Sequence, residues 1–107
     1  MSNVEYCNVK KVAALKIEDF ERGERITEAL ANKARLAILY ALEKYGELCA
    51  CDIIPALKMA QPTITLHLQK LYNAGILKKR EEWKYTYYSI NNEYLEFVRT
   101  VLEINRK

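Results

Sequence analysis

Two cysteines one residue apart, in the stretch GELCACDI from Gly46 to Ile53, are the part of this 107-residue chain best equipped for chemistry. A Cys-x-Cys pair offers two soft sulfur donors to a thiophilic ion, or two thiols to an oxidant. The one other cysteine is Cys7. Three is an odd number for a disulfide framework, and in a reducing compartment thiols serve as ligands, reactive groups or small buried residues. The spacing predicts that Cys49 and Cys51 open a short helix, CDIIPALK, where free N–H groups and the helix dipole favour thiolate. Residues two apart diverge by about 200° on a regular helix, so both sulfurs reach one ion only if that first turn is distorted. Ion binding would then reshape the helix and whatever follows it.

The elements around the pair read as helices almost throughout. EDFERGERITEALA carries apolar residues at Phe20, Ile26 and Leu30. KARLAILYALEKYG has a broad apolar face through Leu36, Ile38, Leu39 and Leu42, with Asn32 as cap and Gly46 as stop, and is expected to be the central core helix. In the short helix, Pro55 is tolerated in the first turn. QPTITLHLQKLYNAG follows, punctuated by Pro62 and Gly75. The period then changes: ILKKREEWKYTYYSI alternates and is rich in β-formers, predicting a hairpin with its break near Glu81 and Glu82, without the usual Gly or Asn. NNEYLEFVRTVLEINRK returns to helical spacing and is apolar enough to need a second surface. The order predicts a mainly α fold with a small β-hairpin, a winged helix-turn-helix. It forms a single domain over 1–107, with an extension over 1–17 and a terminal dimerisation helix over 91–107. A chain this short gains from a partner subunit.

Charge points the same way. Of a net +3, the segment from Lys58 to Tyr88 holds six bases against two acids, while the remainder is nearly balanced. A concentrated excess suits a nucleic-acid surface, although a solvated lysine face gives the same count. On the helix from Gln61, the residues Ile64, Leu68 and Leu71 fall on one side. Thr63, Thr65, Leu66, Gln69 and Lys70 spread over the other, where Thr and Gln can bond base edges or phosphates and Leu66 can meet a thymine methyl. Arg80 and Lys84 flank the expected turn and are placed for phosphate. His67, the sole histidine, lacks acid or thiol partners at helical spacing and reads as a packed, hydrogen-bonded ring. Tyr85, Tyr87 and Tyr88 follow strand alternation and read as packing.

Taken together, ITEALANKARLAILYAL, GELCACDI, AQPTITLHLQKLYNAGIL and WKYTYYSI resemble the ArsR/SmtB family of dimeric metal-sensing repressors, from about Glu24 to Ile90. The ELCxCD box is similar to that of members responding to arsenite, antimonite, cadmium or lead. The resemblance implies a winged-helix homodimer that holds operator DNA when free of metal and releases it when metal binds. It places Gln61, Thr63, Thr65, Leu66 and Gln69 at base-facing positions of a recognition helix from Gln61 to Asn73. It also implies a third sulfur donor. Arsenite-sensing relatives often carry it shortly after the pair, where DIIPAL has none, whereas cadmium- and lead-sensing relatives bring it from an N-terminal extension, as Cys7 would. A free thiol is the competing reading of Cys7, and small buried residues that of Cys49 and Cys51. Relatives often have a capping Ser at Ala60 and Gly near Glu82 or Trp83, and the terminal helix lacks the His that some use for zinc.

Other classes are addressed by absence. No nucleophile–base pair, phosphate loop or paired carboxylates suggests an enzyme. No long apolar run suggests a membrane span, so a soluble, cytoplasmic protein is expected. The alternative function on the same scaffold is a thiol-redox or persulfide-responsive repressor.

Overall fold

Local signals set the first helices. In a computed structural model, which describes residues 10–106, a 3-10 turn over Ile17–Phe20 leads into α1, Glu21–Leu30, and α2, Lys33–Tyr45. The Asn32 side chain accepts hydrogen bonds from the N–H groups of Ala34 and Arg35 at 2.9 and 3.1 Å, satisfying donors that a helix start leaves unpaired. Gly46 ends α2 at φ 92°, a backbone that would strain any side chain. Ile38, Leu39 and Leu42 are fully buried, so α2 is the core helix expected. Burying each such side chain contributes about 1.5–3 kcal/mol.

After Gly46 the structure departs from the helical expectation. Leu48–Cys49 form a short strand, β1, before α3, Ala50–Leu57. Pro55 is the sixth residue of α3 rather than part of its first turn. Lacking an N–H, it leaves the Cys51 carbonyl, four residues earlier, without a helical donor. α4, Gln61–Asn73, follows at once and buries Ile64, Leu68 and Leu71.

The wing is a ribbon of β2, Leu77–Glu82, and β3, Tyr85–Ile90, in a three-stranded antiparallel sheet of order β1-β3-β2. The break expected near Glu81 and Glu82 lies later. Both residues belong to β2, opposite Thr86 and Tyr85, and the loop is Trp83–Lys84. Trp83 adopts φ 63°, the sign that a two-residue hairpin loop demands and that Gly or Asn normally supplies. For a bulky side chain that backbone costs about 1–2 kcal/mol. Past Leu77, every residue of β2 is exposed, so the ribbon projects from the body.

A 3-10 turn over Asn92–Tyr94 starts the last helix, α5, Leu95–Glu103. Asn91 fastens it by donating to the Gly75 carbonyl at 3.0 Å while accepting from the Glu93 N–H at 3.1 Å. Val98 joins the core shared by α1, α2, α3, α4 and the sheet, leaving Phe97 and Ile104 exposed. This is a winged helix-turn-helix. No described helix is long and apolar enough to cross a membrane.

Candidate functional site

The cysteine pair sits on a boundary between elements. Cys49 is both the last residue of β1 and the N-cap of α3, with extended φ −92° and ψ 167°, while Cys51 is the second residue of the helix. The expected 200° divergence therefore does not arise, because it assumed that both residues were helical. Their Cα atoms are 5.2 Å apart, and the sulfurs meet as a disulfide without disturbing the helix. Cys49 is 4% exposed; Cys51 is open to solvent.

Asp52 completes the arrangement. Its Oδ2 accepts from the Cys49 N–H at 3.0 Å, and the Cys49 side chain caps the Asp52 N–H, forming a reciprocal capping box with sulfur in place of the usual hydroxyl. The ligand atoms of Cys49, Cys51 and Asp52 all lie within 4.8 Å of one another, the one such group among the described residues. Once the disulfide is reduced, two soft thiolates and an exposed carboxylate are a donor set of the kind that a thiophilic divalent ion takes. Sequence reasoning did not count Asp52 as a donor, although Cys-x-x-Asp at a helix start carries the capping-box spacing that would have placed it there. Cys7 lies outside the described residues.

The pair is tied to the wing as well as to α3. Cys49 lies opposite Tyr87 of β3, and Arg80 lies opposite the same tyrosine from β2. The Arg80 guanidinium stacks 4.9 Å from the Tyr87 ring centre. It donates to Glu47 at 3.1 and 2.9 Å and to Glu82 at 2.5 Å. Those bonds raise the pKa of Arg80 further above the usual guanidinium range and hold that of Glu47 below the usual carboxylate range. Arg80, expected at phosphate, is thus occupied in clasping the wing to the segment just before the cysteines.

On α4, Gln61, Thr65, Leu66, Gln69 and Lys70 are exposed on one continuous outer face, and Leu66 is 69% accessible. Thr63 is half-buried, closer to the core than expected. Ala60 makes no side-chain cap bond. Lys79 Nζ sits 4.3 Å from the Tyr72 ring centre, setting the base of the wing beside the end of α4. Lys84 is exposed in the loop.

Behind that face, a buried cation orients α4. Arg35 Nε donates to the Ala29 carbonyl at 2.6 Å and Nη2 to that of Glu28 at 3.4 Å, capping the end of α1. Nη1 lies 3.2 Å from His67 Nδ1. A guanidinium only donates, so Nδ1 accepts and the ring proton rests on Nε2. Burial, and secondly the charge of Arg35, depress the His67 pKa. A depressed folded-state pKa means that the unfolded chain takes up the proton more readily. The stability supplied by the neutral ring is present above about pH 6.5 and is lost as pH falls towards the folded pKa. Urea unfolding at pH 7 and pH 5 should show the wild type losing more stability than His67→Gln, which keeps an acceptor but does not titrate. Equal losses would assign the acid sensitivity elsewhere.

Residues 32–79 match the family described as bacterial regulatory protein, arsR family. Over 90 residues the chain is 39% identical to an uncharacterized HTH-type transcriptional regulator of Methanocaldococcus jannaschii, covering 82% of this chain and 100% of that one. It is 38% identical over 72 residues to the cadmium resistance transcriptional regulatory protein CadC homolog of Staphylococcus aureus, covering 67% of this chain and 60% of that regulator. Among solved structures, the homodimeric winged helix-turn-helix DNA-binding domain of a possible ArsR-family regulator from Mycobacterium bovis matches with a TM-score of 0.74 at 28% identity. The match covers 90% of this chain and 88% of that one.

Proposed function

Because the chain belongs to the ArsR family of bacterial regulatory proteins, we propose that it is a homodimeric repressor, released from double-stranded operator DNA when a thiophilic ion binds Cys49 and Cys51. The observation that carries this reading is the convergence of two sulfurs and the Asp52 carboxylate at the start of the helix leading into α4. The cadmium-resistance relative has the same direction of chemistry in its name.

The geometry supplies a coupling. In this structure the Cys49 side chain and the Asp52 carboxylate cap α3. As ligands of an ion, the same atoms would no longer be free to cap α3. Three residues, Lys58 to Ala60, separate α3 from α4, so a change in the pitch of α3 re-aims Gln61, Thr63, Thr65, Leu66 and Gln69 on the bases, and Lys70 and Lys84 on phosphate. Release requires that the ion prefer the DNA-incompetent shape, and DNA then weakens ion binding by the same factor. Asp52 as third donor suits cadmium or lead. Arsenite or antimonite calls for a third sulfur, which Cys7, from its own or the partner's extension, would supply. Exposed Ile17, Phe20, Phe97 and Ile104 offer apolar surface to a second copy through the extension and the terminal helix. The protein acts by binding in the cytoplasm rather than by catalysis.

Contact between the two sulfurs supports a second reading, release by an oxidant or persulfide acting on the same pair. One titration separates them. Reduced protein bound to a fluorescent duplex of its own promoter region is treated in parallel with cadmium, lead, arsenite, zinc and a mild oxidant. Release by a thiophilic ion under reducing conditions supports the ion-responsive repressor. Release by oxidant alone replaces it with the redox switch.

A further inference from the structure

Trp83 has no packing role that would keep it where it is. It is 93% exposed at the tip of the wing, with a left-handed backbone, φ 63°, that glycine would adopt without strain. A bulky residue held in a strained conformation, burying almost nothing, points to a role outside the fold. The setting shows what it meets. Beyond Leu77 the five remaining residues of β2 are exposed, while Thr86 to Ser89 of β3 are half-buried, and β2 carries the tip outwards by about 17 Å. Of the acids on this ribbon, Glu82 is paired with Arg80, leaving Glu81 against Lys78, Lys79 and Lys84, none of which is ion-paired among the described residues. Lys79, over Tyr72, fixes the ribbon beside the outer face of α4. A duplex whose major groove receives that face passes under the wing, and the next groove along is the narrow minor one.

We propose that Trp83 is a wedge, entering the minor groove of the bound duplex and lodging its indole against a partly unstacked base step, as apolar wedges do in DNA-bending proteins. The loop sets the ring at the tip, the lysines hold the flanking phosphates, and the wedge favours sites with a deformable step at that distance from the bases read by α4. The inference rests on duplex binding by α4 and is independent of what triggers release.

The chain contains one tryptophan, so its fluorescence reports this residue alone. The full-length protein is titrated with a duplex of its own promoter region. Trp83 emission should be that of a solvated indole and should be strongly quenched at saturation. Trp83→Gly, which relieves the turn, should melt no lower than wild type yet bind the duplex about tenfold more weakly. End-to-end energy transfer on the labelled duplex should show less bending with that variant. Unchanged emission at saturation, or equal affinity for Trp83→Gly, would overturn the wedge while leaving DNA binding intact. A wild-type protein that binds no duplex would overturn both this inference and the repressor reading.

Discussion

Replacing Cys49 and Cys51 together by serine is expected to preserve the fold and DNA binding while abolishing ion-induced release. Serine is among the best N-cap residues, so at Cys49 it keeps the bond to the Asp52 N–H and the reciprocal bond from its own N–H. Cys51 is exposed, and its sulfur contributes no packing to the core. What is lost is specific: a hydroxyl is neither a soft donor nor ionised near neutral pH. Changes to residues that merely support metal ligands cost about 10–100-fold in affinity. Removing both sulfurs should exceed that range, and ion-induced release should disappear. Calorimetric ion titration of the reduced variant and operator anisotropy check the two halves. Asp52→Asn, which keeps an oxygen for the Cys49 N–H but lacks the charge, should give a smaller loss of about tenfold. A double-serine protein that still binds and responds to the ion would move the sensor away from this loop altogether.

Arg35→Met should cost about as much stability as truncating a buried core side chain of α4. Methionine retains most of the apolar stem but none of the donors, leaving the buried Ala29 carbonyl and the half-buried His67 Nδ1 without this partner, while the Glu28 carbonyl keeps its bond from the Ala31 N–H. Breaking a buried, charge-assisted network of this kind costs about 2–4 kcal/mol. For a domain of this size that is a fall of roughly 10–20 °C in melting temperature. Lysine would restore the charge without the planar fork that reaches α1 and α4 together, so Arg35→Lys should recover only part of it. A shift below 2 °C for the methionine variant would show that the network does not hold α4 in place.

The helices were legible because their signals are local. Asn32, Gly46, Pro62 and Gly75 mark ends that the structure keeps, and the apolar spacing of Ile64, Leu68 and Leu71 is the face that α4 buries. The details that matter to the site were less so. A two-residue strand has no period to detect, so no sequence signal marks β1, and the spacing places Cys49 at the start of a helix that begins one residue after it. The loop was misplaced by two residues because Trp83 stands where a turn ordinarily announces itself with glycine. Arg35 reads as one more solvated base on a helix. Only the packing of three helices shows it buried, with carbonyls rather than carboxylates as partners.

Pro55 gives the cysteine-bearing turn a character of its own. With no amide to return to the Cys51 carbonyl, the opening of α3 is closed by fewer backbone bonds than an uninterrupted helix would have, while Ile53 anchors the same helix in the core. Such a segment can open locally at a fraction of the free energy of global unfolding. The free protein would therefore already visit uncapped conformations on its own. An inducer would then trap a fluctuation already present in the resting repressor, and the depth of that fluctuation would set how little inducer is needed.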